Sequence, residues 1–298
     1  MNIIISGASG FVGHVLHDYL KDSHDLNTMS IRYKTKQQSD ISADAVIHLA
    51  GKAHDLKNVS SPTDYYEANF ELTRQLFDAF LGSEASVFIF MSTVKAAADK
   101  IVGVLTEETV PNPKTHYGMS KLHAENYILN QTLSEGKRVY ILRPSMIHGP
   151  GNKGNLNLLY QLVSKGIPWP LGAFHNQRSF CSIDNVCYVV SQILEREDIP
   201  SGVYNLADDD TLSTNELIEI IGATTNKKAK IISISKKVIN TIAEIGDVLH
   251  LPLNTERLDK LTENFVVSNA KIKSALQIEK FPVTAKDGLV KTFQSFTK

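Results

Sequence analysis

Cysteine is scarce: the chain of 298 residues has two, Cys181 and Cys187. They are too few for a disulfide scaffold and lack the paired spacing of a zinc site, which points to reduced thiols, a cytoplasmic location and no metal. No apolar run reaches the roughly 18–20 residues that cross a bilayer. The opening Met1-Asn2-Ile3-Ile4-Ile5-Ser6 lacks the basic flank and apolar length of a secretion signal. Excess charge is missing too. Lys+Arg number 31 against 32 Asp+Glu, with no long basic run, so overall electrostatics gives no reason to expect nucleic acid or an anionic membrane as partner. Repeats, low-complexity tracts and Pro-, Gly- or Ser-rich linkers are also absent. The 42% hydrophobic and 21% charged residues describe a packed globular chain, one large domain or two coupled ones.

Short apolar runs alternate with longer helical patterns, as in β-α units on a parallel sheet. Strands are expected at Ile3–Ile5, Asp25–Arg32, Ala45–Leu49, Val87–Met91 and Arg138–Leu142, the last stopped by Pro144. Helices are expected at Phe11–Leu20, Asp64–Leu81 and Thr115–Leu133. Residues 1–150 therefore read as a doubly wound α/β (Rossmann) domain that binds a dinucleotide, with 183–207 returning to it. Residues 151–298 read mainly as a smaller, interleaved substrate-binding lobe. Helices are expected there at Leu156–Val163, Ile183–Leu194, Lys236–Leu249, Ala270–Leu276 and Ala285–Phe296, with a strand at Gly202–Leu206. Ser213 with Glu216 three residues on is a capping box opening a helix to Ile221. The amphipathic stretch Ile231–Leu253 mixes charge signs on its polar face, and so reads as a core-covering helix rather than a membrane-surface one.

The strongest local signal is Gly7-Ala8-Ser9-Gly10-Phe11-Val12-Gly13, between the first strand and the first helix. Glycines let the backbone turn tightly against a pyrophosphate, and the free N–H groups of the helix start hold its charge. At the end of the second strand an acid would accept from an NAD ribose. Here Ser30-Ile31-Arg32-Tyr33-Lys34 offers cations instead, which points to NADP(H), with NAD(H) as the alternative if Arg32 and Lys34 are ordinary solvated loop residues. Tyr117 and Lys121 lie four apart, on one helix face, where an ammonium lowers the phenol's pKa for acid-base work. One such pair among ten tyrosines means little alone. It gains meaning from Met91-Ser92-Thr93, a hydroxyl-bearing strand end that faces the crevice where open α/β sheets bind ligands.

Together these residues resemble the extended short-chain dehydrogenase/reductases, the NAD-dependent epimerase/dehydratase family, nearly end to end. Gly7, Gly10 and Gly13 match the cofactor turn, His48-Leu49-Ala50 the strand end beside the cofactor, Asn69 an Asn of the following helix, and Tyr117-Gly118-Met119-Ser120-Lys121 the Y-x-x-x-K motif. Leu142-Arg143-Pro144 with His148-Gly149-Pro150 matches the R-P…Y-G-P segment, with His148 in place of the usual Tyr. Arg178 falls where the family places an arginine on the sugar-nucleotide diphosphate.

The resemblance implies that Thr93 hydrogen-bonds the reacting oxygen, Tyr117 exchanges a proton with it, and Lys121 holds the nicotinamide ribose and depresses the tyrosine pKa. Cofactor contacts would come from Gly7, Ser9, Gly10, Phe11, Val12, Gly13, Arg32, Asp40, Ile41, Leu49, Ala50, Ser92, Tyr117, Lys121 and Pro144. Asn155 and Arg178 would bind substrate phosphates, unless Asn155 is a plain N-cap. Dehydratases of the family place Asp-Glu after the Thr. Val94-Lys95 stands here, which argues against 4,6-dehydration and leaves Lys95 as a solvated or substrate-contacting residue.

Three readings follow. One is a nucleotide-sugar 4-ketoreductase acting on a UDP-4-keto-6-deoxy-N-acetylhexosamine in surface-polysaccharide synthesis, as in the UDP-glucose 4-epimerase-like subgroup. The second is an NAD-dependent UDP-hexose 4-epimerase. The third, a non-catalytic NADP-sensing protein, is disfavoured by the intact Thr93, Tyr117 and Lys121. Arg32 without an acid favours the reductase, which draws on exchangeable NADPH. Relatives pair through the helices carrying Asn69 and Tyr117. The face of Tyr66, Phe70, Leu76 and Phe77 permits a homodimer, or else covers the sheet.

Overall fold

The computed structural model describes residues 1–30, 41–52, 61–152, 154–249 and 253–296, Asn155 through its backbone. Arg32, Lys34 and Asp40 lie outside the described residues. The chain opens as β1 (Asn2–Ser6), α1 (Phe11–Leu20), β2 (Asp25–Met29) and β3 (Ala45–His48). Next, α2 (Pro62–Tyr66) passes through a π-helical turn (Glu67–Glu71) into α3 (Leu72–Leu81), so the helix expected at 64–81 is one rod with a widened turn at Asn69. Then come β4 (Val87–Met91), a 3-10 turn (Val94–Ala96), β5 (Val104–Leu105), α4 (His116–Leu129) and β6 (Arg138–Pro144).

Six strands make one parallel sheet in the order β2-β1-β3-β4-β6, closed by β9 (Gly202–Leu206). The inner strands β1, β3 and β4 are near-continuous apolar runs because both faces are covered, whereas the edge strand β2 is polar and has no buried residue. Alternate residues serve opposite faces. Ile3, Ile5, Ile47 and Ile89 pack toward α1, whereas Ile4, Val46, Phe88 and Phe90 meet Leu76, Phe77 and Phe80 of α3. Leu76 and Phe77 thus cover the sheet, while Tyr66 and Phe70 lie edge-on to His123 of α4.

Pro144 does not stop its strand. The Leu142 carbonyl accepts from Ser92 N (2.7 Å) on the β4 side, and Ser145 N donates to Leu206 O (2.8 Å) on the β9 side. By alternation, Pro144 points its missing N–H to the side that β4 has already left, where no ladder bond is lost.

Past β6, three short strands were not legible in the sequence: β7 (Met146–His148), β8 (Arg178–Ser182) and, after β9, β10 (Thr211–Leu212), forming a sheet in the order β10-β8-β7. Between them run α5 (Asn155–Ser164) and α6 (Ile183–Glu195), and after them α7 (Thr214–Thr224), α8 (Lys236–Leu249) and α9 (Thr255–Thr262). The last elements are β11 (Val266–Val267), which pairs with β5, then α10 (Ala270–Leu276) and α11 (Ala285–Ser295). Ser213 caps α7 with the expected box: its Oγ accepts from Glu216 N (3.1 Å) and its N–H donates to the Glu216 carboxylate (2.7 Å). Gly154, not Asn155, is the N-cap of α5. A separate core of Trp169, Phe180, Ile221 and Phe293 fills this half, while Ile272 and Leu276 of α10 return to the sheet's core.

His148 is fully buried, with Nδ1 3.0 Å from Thr292 Oγ1 and Nε2 3.3 Å from Asp208 Oδ2. Asp208 in turn accepts from Ser182 N and Asn185 Nδ2, so the residue standing for the family's Tyr knits α6, α11 and the β9 exit together.

Candidate active site

The sheet order reverses between β1 and β3, and a crevice outside the carboxyl ends of strands at such a point is where open sheets take ligands. The glycine turn sits there. Gly7 has φ +76°, and a Cβ on it would lie 2.6 Å from Ala50 N; one on Gly13 would lie 2.3 Å from Gly7 O. Only glycine permits that backbone and that approach of helix to strand. Gly10 N-caps α1 with no side-chain bond, which leaves the first N–H groups of α1, at Phe11, Val12 and Gly13, as donors for an anion. Ser9 and Gly10 are exposed at the tip of the turn. Leu49 and Ala50 are tied to Ser6 by backbone and hydroxyl bonds. This cradle, which side chains would fill, fits a dinucleotide diphosphate. Ile41 departs from expectation: its side chain is buried in the core with Ile4 and Val46 rather than turned to the crevice.

One strand further on, a second group converges. Gly51 leaves room where a Cβ would stand 2.7 Å from Asn69 Oδ1 and 3.3 Å from Lys121 Nζ. Asn69 is buried in the π turn, a distortion frequent at functional sites, and bonds Lys52 N (2.7 Å), Lys52 O and Ser120 Oγ. Lys121 Nζ donates to Met91 O (2.9 Å) and lies 4.6 Å from the Phe90 ring centroid. Thr93 follows β4, nearly buried, and its side chain hydrogen-bonds Tyr117.

The expected depression of the Tyr117 pKa is not what these surroundings produce. Burial pushes the phenol up, the Thr93 hydrogen bond works against that, and Lys121, engaged by Met91, is not among the causes. Lys121 itself is pushed from 10.5 down to about 8 by burial, with Glu125 opposing.

Glu125 escaped the sequence reading, though its spacing was a signal: Tyr117, Lys121 and Glu125 are four apart in succession on α4. Its side chain is 0% exposed and ion-paired to Arg143, whose Nε lies 3.0 and 3.1 Å from the two carboxylate oxygens. Ser92 Oγ donates to the same carboxylate, so Ser92 is fastened to α4. His48 stays neutral between Ser6 Oγ (2.6 Å) and Thr73 Oγ1 (2.9 Å), its pKa pushed down to about 3 by burial.

Lys95 is not a solvated lysine. It is half-buried, donates to Asp99 O (2.7 Å) and lies 4.3 Å from the Phe265 ring centroid, and burial pushes its ammonium down. Its carbonyl abuts Gly118, where a Cβ would come within 2.4 Å. Phe265 bridges to Arg178. That chain of contacts runs from Thr93 and Tyr117 to a cavity of about 440 Å³ in the lobe. Its wall is apolar along Leu156, Leu159, Phe180 and Leu217, and cationic at Arg178, Arg257 and Lys260. None of the described lining residues is acidic. Arg178 donates to the Lys260 carbonyl, and burial lowers its pKa. The sequence pointed to Arg178; Arg257 and Lys260, three apart on α9, carried no motif.

Lys121 yields a pH prediction. A cation whose pKa is lowered to about 8 is protonated below that value and neutral above it. If its charge serves turnover, kcat/KM falls about tenfold per pH unit above 8. A profile flat from pH 7 to 10 would contradict that role for Lys121.

Comparison with known proteins agrees with this arrangement. The model of the NAD dependent epimerase/dehydratase family matches residues 3–207. The UDP-glucose 4-epimerase of Vibrio cholerae is 27% identical over 322 residues, covering 99% of this chain and 95% of that protein. The GDP-6-deoxy-D-mannose reductase of Pseudomonas aeruginosa is 27% identical over 239 residues, with 74% and 78% covered. Among solved structures, MoeE5 in complex with UDP-glucuronic acid and NAD superimposes with a TM-score of 0.78 at 18% identity, covering 100% and 99% of the two chains.

Proposed function

Because the chain belongs to the NAD dependent epimerase/dehydratase family, within the extended short-chain dehydrogenase/reductases, we propose that it is a nucleotide-sugar 4-ketoreductase. The substrate is a UDP-4-keto-6-deoxy-N-acetylhexosamine on its way to a surface polysaccharide. Residues 1–150 with 183–207 form the dinucleotide domain, and most of 151–298 the substrate lobe. NADPH is the preferred donor, on the strength of Arg32 without a neighbouring acid.

The observation that carries this reading is the Thr93–Tyr117 hydrogen bond beside Lys121, linked through Lys95 and Phe265 to a cavity that joins apolar walls with three cations. The glycine turn, Leu49, Ala50, Ser92 and Lys121 hold the dinucleotide. When bound, its dihydronicotinamide supplies the hydride. Arg178, Arg257 and Lys260 take the substrate's diphosphate, since dianionic groups need charge-assisted donors, and the leucine wall takes the apolar parts of the nucleoside. Asn155, at the start of α5, adds a further contact. Thr93 aligns the C4 oxygen, and Tyr117 Oη gives it a proton. A phenol that burial keeps protonated suits that direction. Lys121 holds the nicotinamide ribose, and solvent restores the proton to Tyr117 Oη.

Purified protein with the UDP-4-keto sugar should oxidise NADPH, followed by its absorbance, faster than NADH. A second reading, a UDP-hexose 4-epimerase, draws on the nearly full-length similarity to the Vibrio cholerae protein. Interconversion of UDP-hexoses with no net cofactor consumption would establish it instead. As a working assembly the enzyme is a homodimer through the α2–α3 rod and α4, leaving Tyr66 and Phe70 at the shared face.

A further inference from the structure

The helix α8 is apolar over a broader arc than the protein covers. Ile239, Ala243 and Gly246 are buried, and a Cβ on Gly246 would come within 1.8 Å of the Leu253 carbonyl. One step round the helix, Val238, Ile242, Ile245 and Leu249 repeat at helical spacing and are 42% to 61% exposed. Scattered exposed aliphatics need no explanation, but four on one stripe do. Leading into this helix, Lys227, Lys228, Lys230, Lys236 and Lys237 are all exposed, and no acid lies between the first and the last. The near-zero net charge of the whole chain hides this local excess. On the helical wheel Glu244 and Asp247, the acids of α8, sit away from the stripe, and so do Lys237 and Lys236, the latter 5.6 Å from the Phe174 ring centroid.

We propose that α8 docks the enzyme on an anionic membrane surface, its open stripe entering the acyl boundary and the lysines meeting the headgroups. An exposed apolar stripe led in by a lysine-rich segment has the composition of an interfacial helix. Charge complementarity selects this occupant: five exposed lysines with no acid among them suit an anionic surface. α8 packs against α9, which carries Arg257 and Lys260, so docking holds the cavity wall one helix from the bilayer. The inference does not depend on which reaction the site performs.

Flotation of the full chain with vesicles of phosphatidylcholine, with and without phosphatidylglycerol, tests it. The protein floats with the anionic vesicles and far less with the neutral ones. Ile242→Asn/Ile245→Asn lowers the partition coefficient about tenfold or more, through lost apolar burial. Lys228→Glu/Lys237→Glu lowers it by a similar factor, on anionic vesicles only. Circular dichroism and unfolding midpoints stay at wild-type values, because all four side chains are exposed. Three results would each overturn the proposal: no flotation with anionic vesicles, equal flotation of the wild type and the isoleucine variant, or a wild-type dimer that this variant dissociates.

Discussion

Tyr117→Phe should lower kcat by about a thousandfold, the middle of the range for losing a positioned acid, while the KM for the nucleotide sugar and the affinity for the nicotinamide cofactor change little. The reason is geometric. Only the Oη is removed; the ring keeps its place beside Tyr65, and the cations that take the diphosphate sit on other elements. An interaction made only in the transition state lowers kcat and leaves ground-state binding alone. Thr93→Val should cost less, about tenfold, since it removes the partner that aligns the phenol and leaves the proton in place. Steady-state rates with saturating substrate decide both. A Tyr117→Phe protein with near-wild-type turnover would remove the phenol from the mechanism.

The second large effect lies beneath the site. Arg143→Met should destabilise the fold by roughly 3–5 kcal/mol, because it leaves the Glu125 carboxylate buried without its cation. Glu125→Leu/Arg143→Met should recover most of that loss, since an apolar pair of similar volume replaces an ion pair that burial makes costly. Urea unfolding of the two single variants and the double variant gives the coupling energy as a cycle. Additive effects would contradict a direct pair. In the double variant Ser92 loses its acceptor and Lys121 the carboxylate that favours its charge, so activity stays reduced although stability returns. That divergence separates a positioning role from mere support of the fold.

How much could be read without coordinates follows from what each residue depends on. The turn at Gly7, Gly10 and Gly13 was legible because its requirement is local: a positive φ at Gly7 and close approaches at Gly7 and Gly13 leave no other residue type at those two positions. Thr93, Tyr117 and Lys121 were legible through a helix period and a strand end, again local patterns. Their electrostatics was not. The pKa of Tyr117 depends on burial and on where Lys121 spends its protons, and the backbone carbonyl of Met91 takes one of them. Ile41, named as a cofactor contact, lost its side chain to the core, since Val46 and Leu76 from other elements claim it. Of the strands of the lobe, β7 and β10 are three and two residues long, below the length at which alternation can be recognised, and β8, Arg-Ser-Phe-Cys-Ser, carries no continuous apolar run. Arg257 and Lys260 meet Arg178 only because β8 and α9, about 80 residues apart in the chain, come together.

The central claim, that Tyr117 and a bound nicotinamide reduce a ketone at C4 of a nucleotide sugar, is tested most directly by isotope transfer. The protein is incubated with NADPH deuterated at the transferable C4 position and a UDP-4-keto-6-deoxy-N-acetylhexosamine, and the product is read by mass spectrometry and proton resonance. The expected result is one deuterium at sugar C4 for each NADPH oxidised, in a single C4 configuration. Unchanged NADPH and unreduced keto sugar, from a protein that interconverts UDP-hexoses without taking up the label, would contradict it.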